Sequence, residues 1–222
     1  YYTISADWKY FVVVNVSDPT NPVVIGSTKE AGTGGKVFGK INNYVLVSKK
    51  REAIYVINVS DPMNPSVAAN FTTSGWIGSM LGSLVAIAYD NRVELYDFSD
   101  PLNPTLLSVI YTGGYPGSVK LFGNYLLLHY KSMSLYDISD PTNPTKILDY
   151  NLHLHPLYYS DYTQGGPITI HDNYIIAPKQ YEGVYILRLL AAPDITPPTI
   201  SNLNVSVTND SATITWQTNE LA

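Results

Sequence analysis

The hexapeptide SDPTNP occupies Ser17–Pro22 and recurs letter for letter at Ser139–Pro144, with SDPMNP at Ser60–Pro65 and SDPLNP at Ser99–Pro104 between them. Measured from serine to serine, the copies stand 43, 39 and 40 residues apart. A second marker keeps the same beat. Two-residue turn signals fall between apolar runs at Asn42-Asn43, Gly82-Ser83, Gly123-Asn124 and Asp172-Asn173, at intervals of 40, 41 and 49.

The second full copy parses cleanly. WIGSML is a strand, GS a turn, LVAIAY a strand, DN a short loop, RVELYDFS a strand, DPLNP a loop and TLLSVIY a strand. Each repeat is therefore expected to hold four antiparallel strands. The third strand is the most regular, and counting back from the phrase serine, its fourth and sixth positions are apolar in every copy. These are Val13 and Phe11, Val56 and Ile54, Leu95 and Val93, and Leu135 and Met133. The first and third positions, on the other face, are Val16 and Val14, Val59 and Ile57, Phe98 and Tyr96, and Ile138 and Tyr136. A strand apolar on both faces is sandwiched, and a period near 40 residues in an all-β chain points to the radially packed blades of a β-propeller. The second position back is polar, Asn15, Asn58, Asp97 and Asp137, and is expected to be a buried strap to nearby turn amides.

Composition agrees with strands and tight corners. The 222 residues include 19 Tyr, 15 Gly and 15 Pro, and 45% are hydrophobic, enough for a packed core. A net charge of −5 without any long basic run argues against a nucleic-acid partner. Cysteine is absent, which removes disulfides, thiolate metal sites and cysteine nucleophiles. The chain starts without Met and has no apolar run of 18 residues, so a soluble piece of a longer protein is expected, with no direct membrane insertion.

The strand ending in Asp or Asn and followed by SDPxNP, repeated near 40 residues, resembles the LVIVD repeat, a β-propeller repeat of bacterial and archaeal surface or secreted proteins. The likeness covers residues 1 to about 190. It implies a propeller of four-stranded antiparallel blades, either about five or an incomplete larger ring, and an extracellular or cell-surface setting, but no reaction. YYTIS fits a second strand, and Ile168–Leu190 a last set of three. Residues 191–198 form a Pro-rich linker. Beyond it, residues 199–222 resemble the first strands of a fibronectin type III β-sandwich, with Trp216 as its core tryptophan.

In an up-and-down sheet, alternate connections share an end. The two-residue turns and the SDPxNP loops fall together on one uniform, structural end. There Asp18, Pro19, Asn21, Asp61, Asn64, Asp100, Asn103, Asp140 and Asn143 are expected to shape turns. The opposite end collects connections that differ in length and chemistry, where binding residues usually reside. The longest, NLHLHPLYYSDYTQGG, carries His153, His155, Tyr158, Tyr159, Asp161 and Tyr162; Tyr115 and Tyr181 lie in neighbouring connections. Clustered tyrosines with a few polar groups suit a glycan or protein contact. His153 and His155 share a side of an extended segment as a metal pair does, with Asp161 or His129 as further donors. No metal or cofactor is nonetheless expected. No GxSxG, HExxH, Walker or dinucleotide motif is present.

The function expected is a non-catalytic adhesion or binding module for a cell-surface glycan or protein. The alternative is a propeller hydrolase or lyase acting on an extracellular polysaccharide. Of the sequons at Asn15, Asn58, Asn70, Asn204 and Asn209, Asn70 is the expected glycosylation position, in a loop of the variable end.

Overall fold

The computed structural model describes residues 2–4, 10–29, 36–49, 53–72, 75, 77–114, 116–129, 132–151, 168–171, 174–179, 183–188, 200–207 and 210–218. Contacts divide the chain into two units, Tyr1–Leu187 and Arg188–Ala222. Every described element is a strand, and no helix long and apolar enough to cross a membrane occurs among the described residues.

The first unit begins with a three-stranded sheet, β1 (Tyr2–Ile4), β2 (Phe11–Asn15) and β3 (Val23–Thr28). Three four-stranded sheets follow. The second sheet is β4 (Lys36–Ile41), β5 (Tyr44–Lys49), β6 (Ala53–Asn58) and β7 (Ser66–Thr72). The third is β8 (Ile77–Leu81), β9 (Leu84–Tyr89), β10 (Arg92–Asp97) and β11 (Thr105–Tyr111). The fourth is β12 (Ser118–Phe122), β13 (Tyr125–His129), β14 (Ser132–Asp137) and β15 (Thr145–Asn151). A fifth sheet has three strands, β16 (Thr169–His171), β17 (Tyr174–Lys179) and β18 (Gly183–Arg188). Each four-stranded sheet is an antiparallel meander with its strands in chain order. β1 pairs with β2 as a second strand pairs with a third.

Two-residue connections force a left-handed backbone at their first residue, and Asn42, Gly82 and Gly123 all adopt it, with φ of 51°, 60° and 49°. Glycine and asparagine are the residues for which this geometry costs least.

The third strands of the second, third and fourth sheets are sandwiched on both faces. Phe11, Val13, Ile54, Val56, Val93, Leu95, Met133 and Leu135 are all buried. Consecutive sheets share one core at a time. Phe11 and Val13 of the first sheet meet Val45, Val47, Ile57 and Val59 of the second. Ile54 and Val56 meet Val85, Ile87 and Phe98 of the third, where Phe71 and Phe98 make an edge contact at 6.1 Å. Val93 and Leu95 meet Leu126, Leu128, Tyr136 and Ile138 of the fourth. One face of each of the first three sheets thus packs on the opposite face of the next. In the fifth sheet the equivalent residues are Val184 and Ile186, and they are 62% and 69% exposed. Val14 and Val16, on the other face of the first sheet, are half-buried.

The fourth strand carries a bulge that sequence reasoning does not anticipate. The register shifts between Val13 and Val14, Val56 and Ile57, Leu95 and Tyr96, and Leu135 and Tyr136, the same step in four sheets. Bulges sharpen the twist of an edge strand and spoil it as a template for further pairing.

In the second unit, β19 (Ile200–Val207) and β20 (Ala212–Thr218) form one antiparallel pair. Among the described residues the second unit is this one ladder, and it does not amount to the expected fibronectin-like sandwich.

Candidate functional site

The uniform end is built from bonds repeated copy by copy. In each SDPxNP loop the asparagine N–H donates to the aspartate carbonyl three residues earlier, at 3.0–3.1 Å, closing a turn with proline at its second place. The aspartate Oδ1 also accepts the N–H of the variable residue, Thr20, Met63, Leu102 or Thr142, at 2.9–3.0 Å. Where that residue is threonine, its hydroxyl adds a bond to the same Oδ1 at 2.6 Å. Where it is Met or Leu, the Asn64 or Asn103 amide donates to Oδ2 instead, at 2.7 and 2.9 Å. These bonds hold the carboxyls of Asp18, Asp61, Asp100 and Asp140 below the usual carboxylate range, first through the side-chain donor and then through the backbone N–H.

The strap residues cap the next turn. Asn15, Asn58, Asp97 and Asp137 accept the phrase-serine N–H at 2.8–2.9 Å. They are exposed or half-buried, not buried as expected, because the serine amide they reach lies at the rim of the sheet. The two-residue turn is tied to the same rim: Val59, Phe98 and Ile138 N–H groups donate to the carbonyls of Asn43, Ser83 and Asn124.

The phrase also clamps the preceding sheet. A Cβ built on Gly26 of β3 would lie 2.2 Å from the Pro62 carbonyl oxygen of the following phrase, so only glycine admits that approach. In the equivalent place on β11, the Ser108 hydroxyl donates to the Pro141 carbonyl at 2.7 Å. Ala69 holds this place on β7 and Leu148 on β15, as the shared ladder register shows.

The opposite end opens on a cleft of about 370 Å³, lined by Lys36, Phe38, Gly78, Ser79, Met80, Gly117, Ser118, Val119, Lys120 and Ile168. These residues come from the first strands of three sheets and from the residue preceding β16. Lys36, Gly78, Gly117, Ser118 and Ile168 stand where those strands begin, remote from the two-residue turns. β4, β8 and β12 lie side by side. Gly78 makes this possible, since a Cβ there would meet the Ala86 carbonyl at 2.7 Å and the Phe38 ring at 2.9 Å. Two buried serines stitch the strands together. Ser79 Oγ accepts the Leu121 N–H at 3.0 Å, and Ser118 Oγ accepts the Ile168 N–H at 3.1 Å. Two other clefts, of about 340 and 400 Å³, are apolar seams between neighbouring sheets, around Phe71 and Phe98 and around Val13 and Pro62.

The residues expected to bind ligand, Tyr115, His153, His155, Tyr158, Tyr159, Asp161, Tyr162 and Tyr181, lie outside the described residues. By chain connectivity, the segment between β15 and β16 leads directly into Ile168 at the cleft wall. His129 is fully buried in β13, and His171 is exposed in β16. Among the described residues no three His, Asp or Glu side chains converge as a metal site. Asn70 sits within β7 opposite Tyr55, exposed but in a strand rather than the expected loop. Sequence reasoning missed the cleft, whose lining is drawn from segments some 40 residues apart.

The family model of the LVIVD repeat matches residues 1–29 and 113–152, the first sheet and the fourth. A comparison with curated proteins finds no match. Among solved structures, a protein from Lactobacillus plantarum is similar over 84% of this chain and 63% of its own, with a TM-score of 0.64 at 12% identity. The computationally designed Ika4 protein is similar over 71% of this chain and 94% of its own, with a TM-score of 0.52 at 11% identity. A chain from the Saccharomyces cerevisiae complex of Dbp5 with Nup159, Gle1, IP6 and ADP covers 98% and 70%, with a TM-score of 0.51 at 13% identity. Likenesses at this level of identity concern the fold alone.

Proposed function

We propose that residues 1–190 form a propeller-type module whose sheets are blades, with their first strands nearest the axis, and that the module binds a cell-surface glycan or protein through its variable end. One observation carries this reading. At the uniform end the turn groups are satisfied within each copy, four times over, whereas the cleft opens at the end where connections differ in length and chemistry. The setting in this reading is extracellular in a prokaryote, on the resemblance of the repeat to surface and secreted proteins, and residues 199–222 open a fibronectin-like spacer, on their alternating apolar pattern and Trp216. Tyr158, Tyr159, Asp161 and Tyr162 belong to the connection that precedes Ile168 in the chain, and tyrosine offers a large apolar ring with a hydroxyl for such contacts.

Deleting Tyr158–Tyr162 is expected to abolish retention on immobilised cell-surface glycans while leaving the circular-dichroism melt unchanged. Equal retention of the deleted and intact chains removes this connection from the binding site.

A further inference from the structure

We propose that a row of three side chains at the variable end of the third sheet, Tyr89, Arg92 and Tyr111, binds a neutral saccharide, with tyrosine rings against its C–H faces and the Arg92 guanidinium on its hydroxyls. The inference rests on reading the variable end as glycan-binding, and it adds the ligand class and the residues that contact it.

The ladder builds the row. Arg92 pairs directly with Tyr89 on β9 and with Tyr111 on β11, so the three side chains leave one face of the sheet side by side. Arg92 is fixed within it: its Nε donates to Glu94 Oε1 at 2.8 Å, and its Cζ lies 5.5 Å from the centre of the Tyr89 ring. Glu94 is braced in turn by the Tyr96 hydroxyl, which donates to Oε2 at 3.0 Å. The strand ends are tied as well, since the Thr112 N–H donates to the Asn91 carbonyl at 2.7 Å and the Thr112 hydroxyl to the Gly114 carbonyl at 2.6 Å. On this held frame Tyr111 is 72% exposed. The fold does not require the row. The place of Arg92 is taken by Ala53 in the second sheet, opposite Lys49 and Thr72, and by Ser132 in the fourth, opposite Asn151. Those sheets form the same meander without it.

An exposed ring beside a fixed planar donor is a combination that suits a sugar. The ring covers an apolar C–H face, while the guanidinium edge, engaged by Glu94 only through Nε, turns its Nη donors to neighbouring hydroxyls. Charge decides the class. Glu94 balances Arg92, and Asp90 adds an exposed carboxylate in the turn between β9 and β10, so these residues offer an anionic group no net attraction. Three adjacent strands span roughly 10 Å, enough for two linked sugar rings. Beyond Tyr111 the chain runs on into the connection that carries Tyr115, one of the residues expected to bind ligand.

An array of immobilised neutral, uronate-bearing and sulfated oligosaccharides, probed with the 222-residue chain, tests this. At least one neutral oligosaccharide is expected to retain the chain, and calorimetry with that sugar should show a loss of roughly tenfold or more for Tyr111→Ala. Tyr111→Phe keeps the ring and should bind within a few-fold of the parent. Arg92→Lys keeps the charge without the planar edge and should lose several-fold. Tyr111→Ala should also melt like the parent, because so exposed a ring contributes little packing, which separates a lost contact from lost folding. If Tyr111→Ala and Arg92→Lys bind the neutral sugar as the parent does, the row is overturned while the glycan reading stands. If only acidic oligosaccharides bind, the neutral class is overturned. If no oligosaccharide binds, the row and the glycan reading fall together, and retention on a cell-surface protein would then leave only the protein arm of that reading.

Discussion

Each phrase carboxyl accepts two hydrogen bonds from its own turn, and these are stronger to the ionised carboxylate than to the neutral acid. Asp97 and Asp137 are held low in the same sense by the Ser99 and Ser139 N–H groups. For all six carboxyls the folded pKa lies below the ordinary 3.8. The stability they lend is therefore complete above that value and is lost as pH falls through it and then through the folded values. The melting temperature is expected to change little between about pH 7 and pH 5 and to fall below about pH 4. Because the groups are exposed, salt screens much of their charge and the decline is gradual. The straps Asn15 and Asn58 do not titrate, so the first two copies should contribute less of it than the last two. A melt that rises between pH 5 and pH 3 contradicts the turn account.

At the level of the element, the third strand was legible from its residues alone, because its two apolar faces alternate in register with the phrase. The fourth-strand bulge was not, since a register shift depends on the partner strand and leaves no mark in a period of two. The clamp of the second and fourth phrases on the preceding sheet was equally hidden. Gly26 reads as a weak point in a strand until the Pro62 carbonyl is placed against it. Gly26→Ala drives a methyl into backbone that cannot swing aside, and should destabilise by about 1–3 kcal/mol in urea unfolding. Relief by an ordinary helix-or-strand propensity gain would appear as an unchanged or higher midpoint, and that result excludes the close approach. The cleft was illegible for a related reason. Its walls are contributed by the first strands of three sheets with the residues just before β12 and β16, and only the packing of β4, β8 and β12 makes them one surface.

At the scale of the first unit, its first four sheets follow one another, each of the first three burying its fourth- and sixth-position residues against the next. In such arrays stability resides in the interfaces between adjacent units. Ile54 and Val184 occupy the same place in the repeat, as do Val56 and Ile186, yet Ile54 and Val56 are buried and Val184 and Ile186 largely exposed. Ile54→Ala should cost about 2–4 kcal/mol and Ile186→Ala under about 0.5 kcal/mol, by chemical denaturation. Comparable losses at both sites would mean that the last face is covered.

The small residue beneath each following phrase sets a rule for how repeats of this kind can be joined. Gly26, Ala69 and Ser108 precede sheets that carry SDPxNP, whereas Leu148 precedes a sheet that carries none. The outer strand of the fourth sheet therefore presents a larger side chain at the place where Gly26 and Ser108 meet the loop of the next phrase. Lengthening the array at that junction requires trimming Leu148 to Gly, Ala or Ser, while insertion after the first, second or third sheet requires no such change. The position works as a connector code, recording in one side chain what kind of neighbour may come next.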